Sequence, residues 1–388
     1  MEHFGEENDI RLFSASGRSE IGGNHTDHQH GAVLTCGIDL DIIAVVCENK
    51  EDKVNIFSEG FGLTSISLDD ILFMEEDTET SKALIKGVLN FFKELGFNIG
   101  GFNAYFTSNV AKGSGLSSSA AFELLLCAIL NSLYNEGSVD PTTLAKISQK
   151  AEREYFGKPC GLMDQMASAY GGFLFIDFEN PDEPSISKIS ADFSDYNHTL
   201  CIINPGSSHS DLTNDYADIT NEMKNVANYF GKEYLREISK DEVCSHISFL
   251  REKFGDRAVL RALNFFDETN RAVLEMNALK NSDFDEFLRL VNQSGTASFC
   301  YLQNVYSNQN VTLQDLSLTI FLAKEILNGR GAVRVHGGGF AGTVMAIVPN
   351  ELLNDFCKKI DNIFGIGSVF VMKIRGTGAL EITENLKN

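Results

Sequence analysis

A glycine- and serine-rich segment stands immediately before a strongly apolar stretch of the chain. Residues 113–121 read GSGLSSSAA, and the apolar run that follows has a helical pattern. A helix N-terminus carries free N–H groups and the positive end of the helix dipole, and glycines let the backbone approach an anion closely. The segment therefore predicts a phosphate-binding loop. The alternative is an ordinary N-cap, although a cap needs only one serine. No GxxxxGK[ST] pattern of a P-loop occurs.

A second glycine run lies near the C-terminal end. Residues 337–342 read GGGFAG and satisfy the GxGxxG pattern, but the TVMAIVP that follows is typical of a strand. A dinucleotide-binding fold requires a helix there. The glycine loop of protein kinases is also excluded, because no HRD or DFG segment occurs downstream. The run is either a plain glycine hairpin or a turn whose backbone packs closely on a substrate or on the nucleotide loop.

A polar segment rich in histidine lies near the N-terminus. Residues 17–31 read GRSEIGGNHTDHQHG and carry three of the eight histidines. A metal site is one interpretation, but the spacing is too tight for a tetrahedral set on a loop and no cysteine is nearby. Many donors and acceptors around a flexible Gly22-Gly23 pair suit recognition of a polyhydroxylated ligand. A polar surface loop is the remaining alternative.

Two acidic residues stand out in the segment 151–172, AEREYFGKPCGLMDQMASAYGG. Glu152 falls late in a predicted helix, and Asp164 follows in an apolar neighbourhood next to Gly161. On spacing alone Asp164 is equally a helix cap or a functional acid.

The elements that must hold these segments are mixed helices and strands. Strands are predicted around AVLTCGI and DIIAVVCE as two separate runs within 32–48, and at VNIFSEG, LTSISLD, FNAYFTS, GGFLFIDFE, TLCIINPG, GAVRVH, TVMAIVP and SVFVMKIRG. Helical patterns cover 80–95, the run after the glycine–serine loop, TTLAKISQKAEREYF, most of 211–328, and ELLNDFCKKIDNIF. The polar stretch 180–195 is the predicted crossover between two domains, 1–185 and 186–388. Hairpin-like neighbours favour an α+β class.

Composition narrows the class of protein. The chain of 388 residues has 43% hydrophobic residues and a net charge of −22, so binding to nucleic acid or to anionic lipid is not expected. The start has neither the basic nor the apolar region of a signal peptide, and no apolar run approaches the length that spans a bilayer. The eight cysteines are scattered without a CxxC pair, so free thiols are expected. A cytoplasmic location follows as an expectation.

Taken together, four segments resemble the galactokinase branch of the GHMP kinases. These are GRSEIGGNHTDHQHG, GSGLSSSAAFE, GKPCGLMDQMAS and RVHGGGFAGTVMAIV, and they stand in the family's order. The resemblance implies an α+β fold of two domains, an N-terminal ribosomal-protein-S5-like domain and a C-terminal ferredoxin-like domain, with the active site in the cleft between them. It also implies a sugar kinase that moves a phosphoryl group from ATP, with Mg²⁺, to the anomeric hydroxyl of galactose.

The resemblance also implies a role for each matching residue. Asp164 would be the general base, and Arg18 would keep it ionised and stabilise the moving phosphoryl group. Ser119 and Glu152 would hold Mg²⁺. The triphosphate would be cradled by Gly113, Ser114, Gly115, Leu116, Ser117, Ser118 and Ser119. The sugar would be held by Asn24, His25, Asp27, Gly161 and Tyr216, of which Tyr216 lies in a weaker match, DLTNDYADITNEM.

One departure bears on the substrate. The family normally reads Gly-Glu-His-Thr-Asp where this chain has Asn24, and in the family that glutamate contacts the 6-hydroxyl of the sugar. A carboxylate repels a substrate that carries its own carboxylate at C6, whereas an amide does not. Galacturonate or another C6-modified galactose is therefore the alternative substrate. A non-catalytic sensor of sugar and ATP is a third hypothesis, although the loop and the Asp–Arg pair are intact. Oligomeric state is left open.

Overall fold

The computed structural model describes residues 9–110, 115–206 and 212–386. The strands are β1 (Arg11–Gly22), β2 (Ala32–Glu48), β3 (Lys53–Ser58), β4 (Gly62–Ser67), β5 (Phe102–Ser108), β6 (Phe173–Asp177), β7 (Ser185–Ile189), β8 (His198–Ile203), β9 (Ala332–His336), β10 (Thr343–Pro349), β11 (Val369–Met372) and β12 (Leu380–Glu381). The α-helices are α1 (Ser81–Glu94), α2 (Ser118–Tyr134), α3 (Pro141–Lys150), α4 (Met163–Tyr170), α5 (Thr213–Tyr229), α6 (Lys240–Ser245), α7 (Ile247–Phe254), α8 (Asp256–Lys280), α9 (Phe284–Ala297), α10 (Asp315–Leu327) and α11 (Leu353–Phe364).

The first sheet is built around the long strands β1 and β2. Its order is β12-β1-β2-β5-β3-β4, and β6 with its partner β7 extends from the other half of β2. Residues Ile42–Glu48 of β2 pair with β5, whereas Ala32–Cys36 pair with β6. Strand β12, near the C-terminal end of the described chain, returns to this sheet and pairs with β1.

The second sheet is smaller and antiparallel, with the order β11-β8-β10-β9. Its strands follow the chain order β-α-β-β-α-β, with α5 to α10 between β8 and β9 and α11 between β10 and β11, which is the ferredoxin-like arrangement. Strands β9 and β10 form a hairpin whose turn holds the glycine run 337–342. The hairpin interpretation of this run is therefore confirmed, and so is the α+β class.

Apolar faces of both sheets are covered by helices. One large core joins the first sheet to α1–α4, α8 and α9, and it includes Leu200, Met345 and Ile347 from one face of the second sheet. A second core lies between the other face of that sheet and α10 and α11. A third fills the helical group α5–α8. None of the described helices is both long and apolar enough to cross a membrane.

One local prediction was wrong. The segment 32–48 is one strand rather than two, because β1 pairs with it on both sides of the Ile38–Leu40 interruption and a bulge between Ser16 and Arg18 absorbs the irregularity. The polar stretch 180–195, predicted as the domain crossover, also contains the edge strand β7, which pairs with β6 and was not predicted. The division into domains 1–185 and 186–388 stays a prediction, with Ser185 as the first residue of β7.

Candidate active site

A buried arginine and an aspartate form the centre of the site. Arg18 lies on β1 and is 6% exposed, and Asp164 lies in the first turn of α4. The Arg18 guanidinium donates from Nε to Asp164 Oδ1 at 2.7 Å and from Nη2 to Oδ2 at 2.9 Å, a bidentate pair. Burial alone would raise the pKa of Asp164, but the charge and hydrogen bonds of Arg18 outweigh it and hold that pKa below its ordinary value. Asp164 is therefore ionised at neutral pH.

The glycine–serine loop reaches the same carboxylate. Ser117 precedes α2 in a left-handed backbone conformation, φ 58°, and its hydroxyl donates to Asp164 Oδ2. Arg18 also donates to the carbonyl of Gly115, so the loop and the Asp–Arg pair are directly joined. Leu116 is 1% exposed and packs in the core, and Ser118 is the first residue of α2. The predicted loop residues Gly113 and Ser114 lie outside the described residues.

Two oxygen ligands face each other beside this loop. The Ser119 hydroxyl donates to Glu152 Oε1 at 2.8 Å, and Glu152, 1% exposed, lies in a π-helical turn that continues α3. Mg²⁺ prefers hard oxygen ligands and usually takes only one or two from the protein, with water and phosphate completing its shell. The described residues contain no group of three or more His, Cys, Asp and Glu that could hold a metal. The Ser119–Glu152 pair therefore fits Mg²⁺ brought with a nucleotide.

Asp27 and Gly161 form the other side of the site. A side chain added at Gly161 would place its Cβ 1.8 Å from Asp27 Oδ2, so only glycine allows this approach. Asp27 lies in a short 3-10 turn and accepts from the backbone N–H of His28 at 2.9 Å. Burial, together with the charges of Asp164 and Glu20, raises the pKa of Asp27 to about 7.

The histidine segment is folded into the site rather than exposed. His25 Nε2 lies 2.9 Å from the carbonyl of Gly338, and His25 Nδ1 lies 3.2 Å from His28 Nε2. Since a carbonyl only accepts, Nε2 of His25 carries the proton. Burial lowers the pKa of His25 to about 4, so its ring is neutral. The polar surface-loop alternative is therefore wrong. For the metal alternative, the described residues contain no cluster of three or more His, Cys, Asp and Glu that could hold an ion.

Asn24 has a different environment from the one expected of a sugar contact. Its side chain is 2% exposed, and its Nδ2 donates to Glu20 Oε1 at 2.8 Å and to the carbonyl of Gly337 at 2.7 Å. Its Oδ1 accepts from Asn304 Nδ2 at 2.8 Å. Both amide hydrogens are therefore used inside the protein, and Asn24 fastens β1 to the glycine turn.

Tyr216 on α5 meets the same glycine turn. Its hydroxyl donates to the carbonyl of Gly339 at 2.8 Å, and a Cβ added at Gly338 would lie 2.5 Å from the ring. Because Gly338 also accepts from His25, the turn joins the predicted sugar residues from both halves of the chain. The glycine turn therefore packs closely on Tyr216 and His25, and its packing on a substrate or on the nucleotide loop stays a prediction.

Several residues of the site were not predicted from the sequence. Glu20 is paired with Arg334, Nη2 to Oε1 at 2.6 Å, and both are buried behind Asn24. His336 accepts at Nε2 from the backbone N–H of Glu20 at 3.3 Å, and its Nδ1 lies 3.0 Å from the Thr343 hydroxyl. Arg334 and His336 directly precede the glycine run, which is the signal that would have drawn attention to them. Another is Lys158, in the GKPCG segment, whose ammonium lies 2.7 Å from Glu152 Oε1.

The chain was compared with known proteins. The family model described as GHMP kinases N terminal domain matches residues 83–172, and the galactokinase galactose-binding signature matches residues 1–48. A galactokinase from Clostridium tetani is 30% identical, covering 97% of this chain and 94% of its own length. A galactokinase from Bacillus subtilis is 29% identical, covering 98% and 96%.

Solved structures show the same fold. The structure of Lactococcus lactis galactokinase complexed with galactose matches with a TM-score of 0.84 and 23% identity, covering 98% of this chain and 97% of that chain. Methanococcus jannaschii mevalonate kinase matches with a TM-score of 0.66 and 17% identity, covering 95% and 100%. The fold expected from the sequence resemblance is therefore confirmed.

Proposed function

Because the chain belongs to the galactokinase family of the GHMP kinases, we propose that it transfers the γ-phosphoryl group of ATP to the anomeric hydroxyl of galactose. The products are galactose 1-phosphate and ADP. The observation that carries the proposal is the bidentate Arg18–Asp164 pair, which lies between the phosphate loop at Gly115 and Ser117 and the Asp27–Gly161 contact. We infer a cytoplasmic reaction, since ATP is the donor.

Asp164 is the group that acts on the attacking hydroxyl. Its pKa is held low by Arg18, so it is present as a carboxylate that accepts the hydrogen of the anomeric hydroxyl and aims its oxygen at the γ-phosphorus. Arg18 stays charged and stabilises negative charge on the phosphoryl oxygens in transit. Ser117 fixes Asp164 Oδ2, so the carboxylate keeps its orientation while the sugar enters.

Ser119 and Glu152 are the residues that would hold Mg²⁺. When bound there with the nucleotide, the ion would neutralise charge on the phosphate oxygens. The loop residues at the N-terminus of α2 would bind the same phosphates through backbone N–H groups and the helix dipole. Because these residues bind the metal and the phosphates, Asp164 is the group that accepts the proton of the sugar hydroxyl.

Asp27, His25, Gly161 and Tyr216 surround the place where the sugar hydroxyls would bind. Asp27 is half-buried and carries acceptor oxygens, while Gly161 leaves room beside it because a Cβ would fill that space. His25 and Tyr216 are held by the glycine turn, which ties the sugar side of the site to the second sheet. Such fixed groups would discriminate among sugars by the position of their hydroxyls.

Galactose is favoured over galacturonate by the surroundings of Asn24. The neutral amide stands directly against the buried carboxylate of Glu20, and Asp27 adds a second acidic group nearby. Arg334 is already paired with Glu20, and Arg18 with Asp164. A substrate carboxylate at C6 would therefore meet acidic groups without gaining a cation.

A sugar-panel kinase assay tests this proposal. ATP and Mg²⁺ are supplied with galactose, galacturonate, N-acetylgalactosamine or glucose, ADP release is followed, and phosphorus NMR identifies the phosphorylated position. We expect turnover on galactose with phosphate at the anomeric oxygen. Preferential turnover of galacturonate would refute the assignment of substrate. A single-turnover experiment with labelled ATP in which the label stays on ATP would instead support a sensor.

A further inference from the structure

Lys158 forms an ion pair with Glu152, the carboxylate that would bind the metal. Its Nζ donates to Glu152 Oε1 at 2.7 Å, and the Ser119 hydroxyl donates to the same oxygen at 2.8 Å. The other oxygen, Oε2, accepts from Gln165 Nε2 at 2.7 Å. The Glu152 side chain is 2% exposed, and these three donors stabilise its charge inside the protein.

A divalent cation held by both Ser119 and Glu152 would lie at Oε1, the oxygen that meets the Ser119 hydroxyl and that Lys158 also bonds. A carboxylate oxygen offers about two lone-pair sites, and both are used by the bonds from Ser119 and Lys158. Ser119 can stay, because its own oxygen is a ligand for the ion. An ammonium group and a divalent ion cannot share one oxygen without strong repulsion in a buried environment. A cation at this oxygen would therefore compete with the lysine.

Lys158 is more exposed than Glu152 and Ser119. Its side chain is 53% exposed and lies on the segment between the π-helical turn and α4, which starts at Gly157 with φ 86°. Glu152 and Ser119 are held in helices and are buried or half-buried. A displaced ammonium needs a new anion, and the triphosphate of the nucleotide is the anion that the proposed reaction brings to this position.

We propose that Lys158 is a placeholder cation: it neutralises Glu152 in the free enzyme and moves to the phosphate oxygens when a divalent ion takes its place. This inference rests on the proposed function. Its consequence is linkage between the two ligands, since the metal is resisted by Lys158 until the nucleotide offers the lysine another partner. The nucleotide must then raise the metal affinity by the same factor as the metal raises the nucleotide affinity.

The test measures Mn²⁺ binding, because Mn²⁺ takes the same oxygen ligands and its free ion is counted directly by electron paramagnetic resonance. Titrations are run without nucleotide and with AMP-PNP, a non-hydrolysable ATP analogue, on the wild type and on Lys158→Met. Lys359→Met is the matched control, since Lys359 is also 53% exposed and also pairs with a carboxylate, Asp355, at 2.7 Å on α11. Glu152→Gln defines the Mn²⁺ that binds elsewhere on this acidic chain.

Without nucleotide, Lys158→Met should bind Mn²⁺ about tenfold more tightly than the wild type, which corresponds to about 1.4 kcal/mol. Lys359→Met should match the wild type. AMP-PNP should raise the Mn²⁺ affinity of the wild type by a larger factor than that of Lys158→Met. Equal Mn²⁺ binding by the wild type and Lys158→Met, including none in either, would overturn the inference.

The same experiment separates this inference from the proposed function. If the wild type phosphorylates galactose and Glu152→Gln loses a Mn²⁺ site, but Lys158→Met behaves as the wild type, only the placeholder role fails. If the wild type phosphorylates no sugar and Glu152→Gln binds as much Mn²⁺ as the wild type in the presence of AMP-PNP, the proposed function itself fails.

Discussion

Replacing Asp164 with Asn removes the charge on which the proposed chemistry depends while keeping the shape of the side chain. Arg18 now makes two parallel bonds to the carboxylate. The amide offers one oxygen and one NH₂ group, so one of these two bonds is lost and two donors face each other. The anomeric hydroxyl also loses the group that accepts its hydrogen. We expect turnover to fall by about 10²–10⁴-fold.

The same substitution has a cost in stability that the structure bounds. Removing one partner of a buried ion pair costs about 3–5 kcal/mol. The Asp164 side chain is 26% exposed, and Arg18 keeps its bond to the carbonyl of Gly115, so we expect a smaller loss of about 2 kcal/mol. Because Arg18 holds the pKa of Asp164 below 3.8, this contribution is present throughout neutral pH and is lost only as acid protonates the carboxylate.

Turnover is measured by ADP release, AMP-PNP affinity by calorimetry, and unfolding by urea. Glu381→Gln is the matched control, because Glu381 forms a comparable pair with Arg11, is 27% exposed, and lies outside the site. Glu381→Gln should lose stability and keep its turnover, whereas Asp164→Asn should lose turnover and bind AMP-PNP within about threefold of the wild type. An Asp164→Asn variant with near-normal turnover would remove Asp164 from the mechanism.

Three further predictions concern neighbouring residues. Gly161→Ala forces Asp27 to move, since the new Cβ would lie 1.8 Å from its carboxylate. The KM for galactose should therefore rise about tenfold or more while AMP-PNP affinity is unchanged, and an unchanged KM would place the sugar elsewhere. Ser119→Ala should raise the Mg²⁺ concentration that half-saturates turnover severalfold, measured at fixed ATP, and an unaltered Mg²⁺ dependence would exclude Ser119 as a ligand. Glu275 has no hydrogen-bond partner for either carboxyl oxygen among the described residues, and burial, followed by the charge of Glu268, raises its pKa well above the ordinary value. The contribution of Glu275 to stability is therefore present in acid and lost as pH rises above 4.5. Between pH 5.5 and 8.5 the free energy of unfolding of the wild type, measured in urea, should fall by more than about 1 kcal/mol relative to that of Glu275→Gln. Parallel pH profiles of the two proteins would contradict this.

Several elements of the fold could be predicted from local sequence patterns. The serines of the loop stand directly before an apolar helix, so their position at the start of α2 could be predicted, although the Ser117 hydroxyl bonds Asp164 and makes no N-cap bond. The glycine run between two apolar strands likewise predicted the β9–β10 hairpin, because glycines allow a tight turn. The segment 32–48 was predicted as two strands because its apolar runs are separated near Ile38–Leu40, while pairing with β1 on both sides keeps the strand continuous.

The contacts of Asn24 could not be predicted from the sequence. A neutral amide in place of the usual glutamate indicated an altered contact with the sugar, but its partners Glu20, Gly337 and Asn304 come from three separate parts of the chain. Lys158 was missed for a similar reason, since a lysine in a loop is ordinarily a solvated charge and only the folded chain brings it to Glu152.

By itself the sequence determined the α+β class and the family and predicted a phosphate loop, because each of these depends on residue types within short segments and on their order. Only the tertiary structure decided that Arg18 and Asp164 form one bidentate pair, although 146 positions separate them. It likewise decided that the Asn24 amide hydrogen-bonds to other residues of the protein and that Lys158 forms an ion pair with Glu152. The physical reason is that burial and charge compensation depend on which distant segments pack together, and no local pattern specifies that.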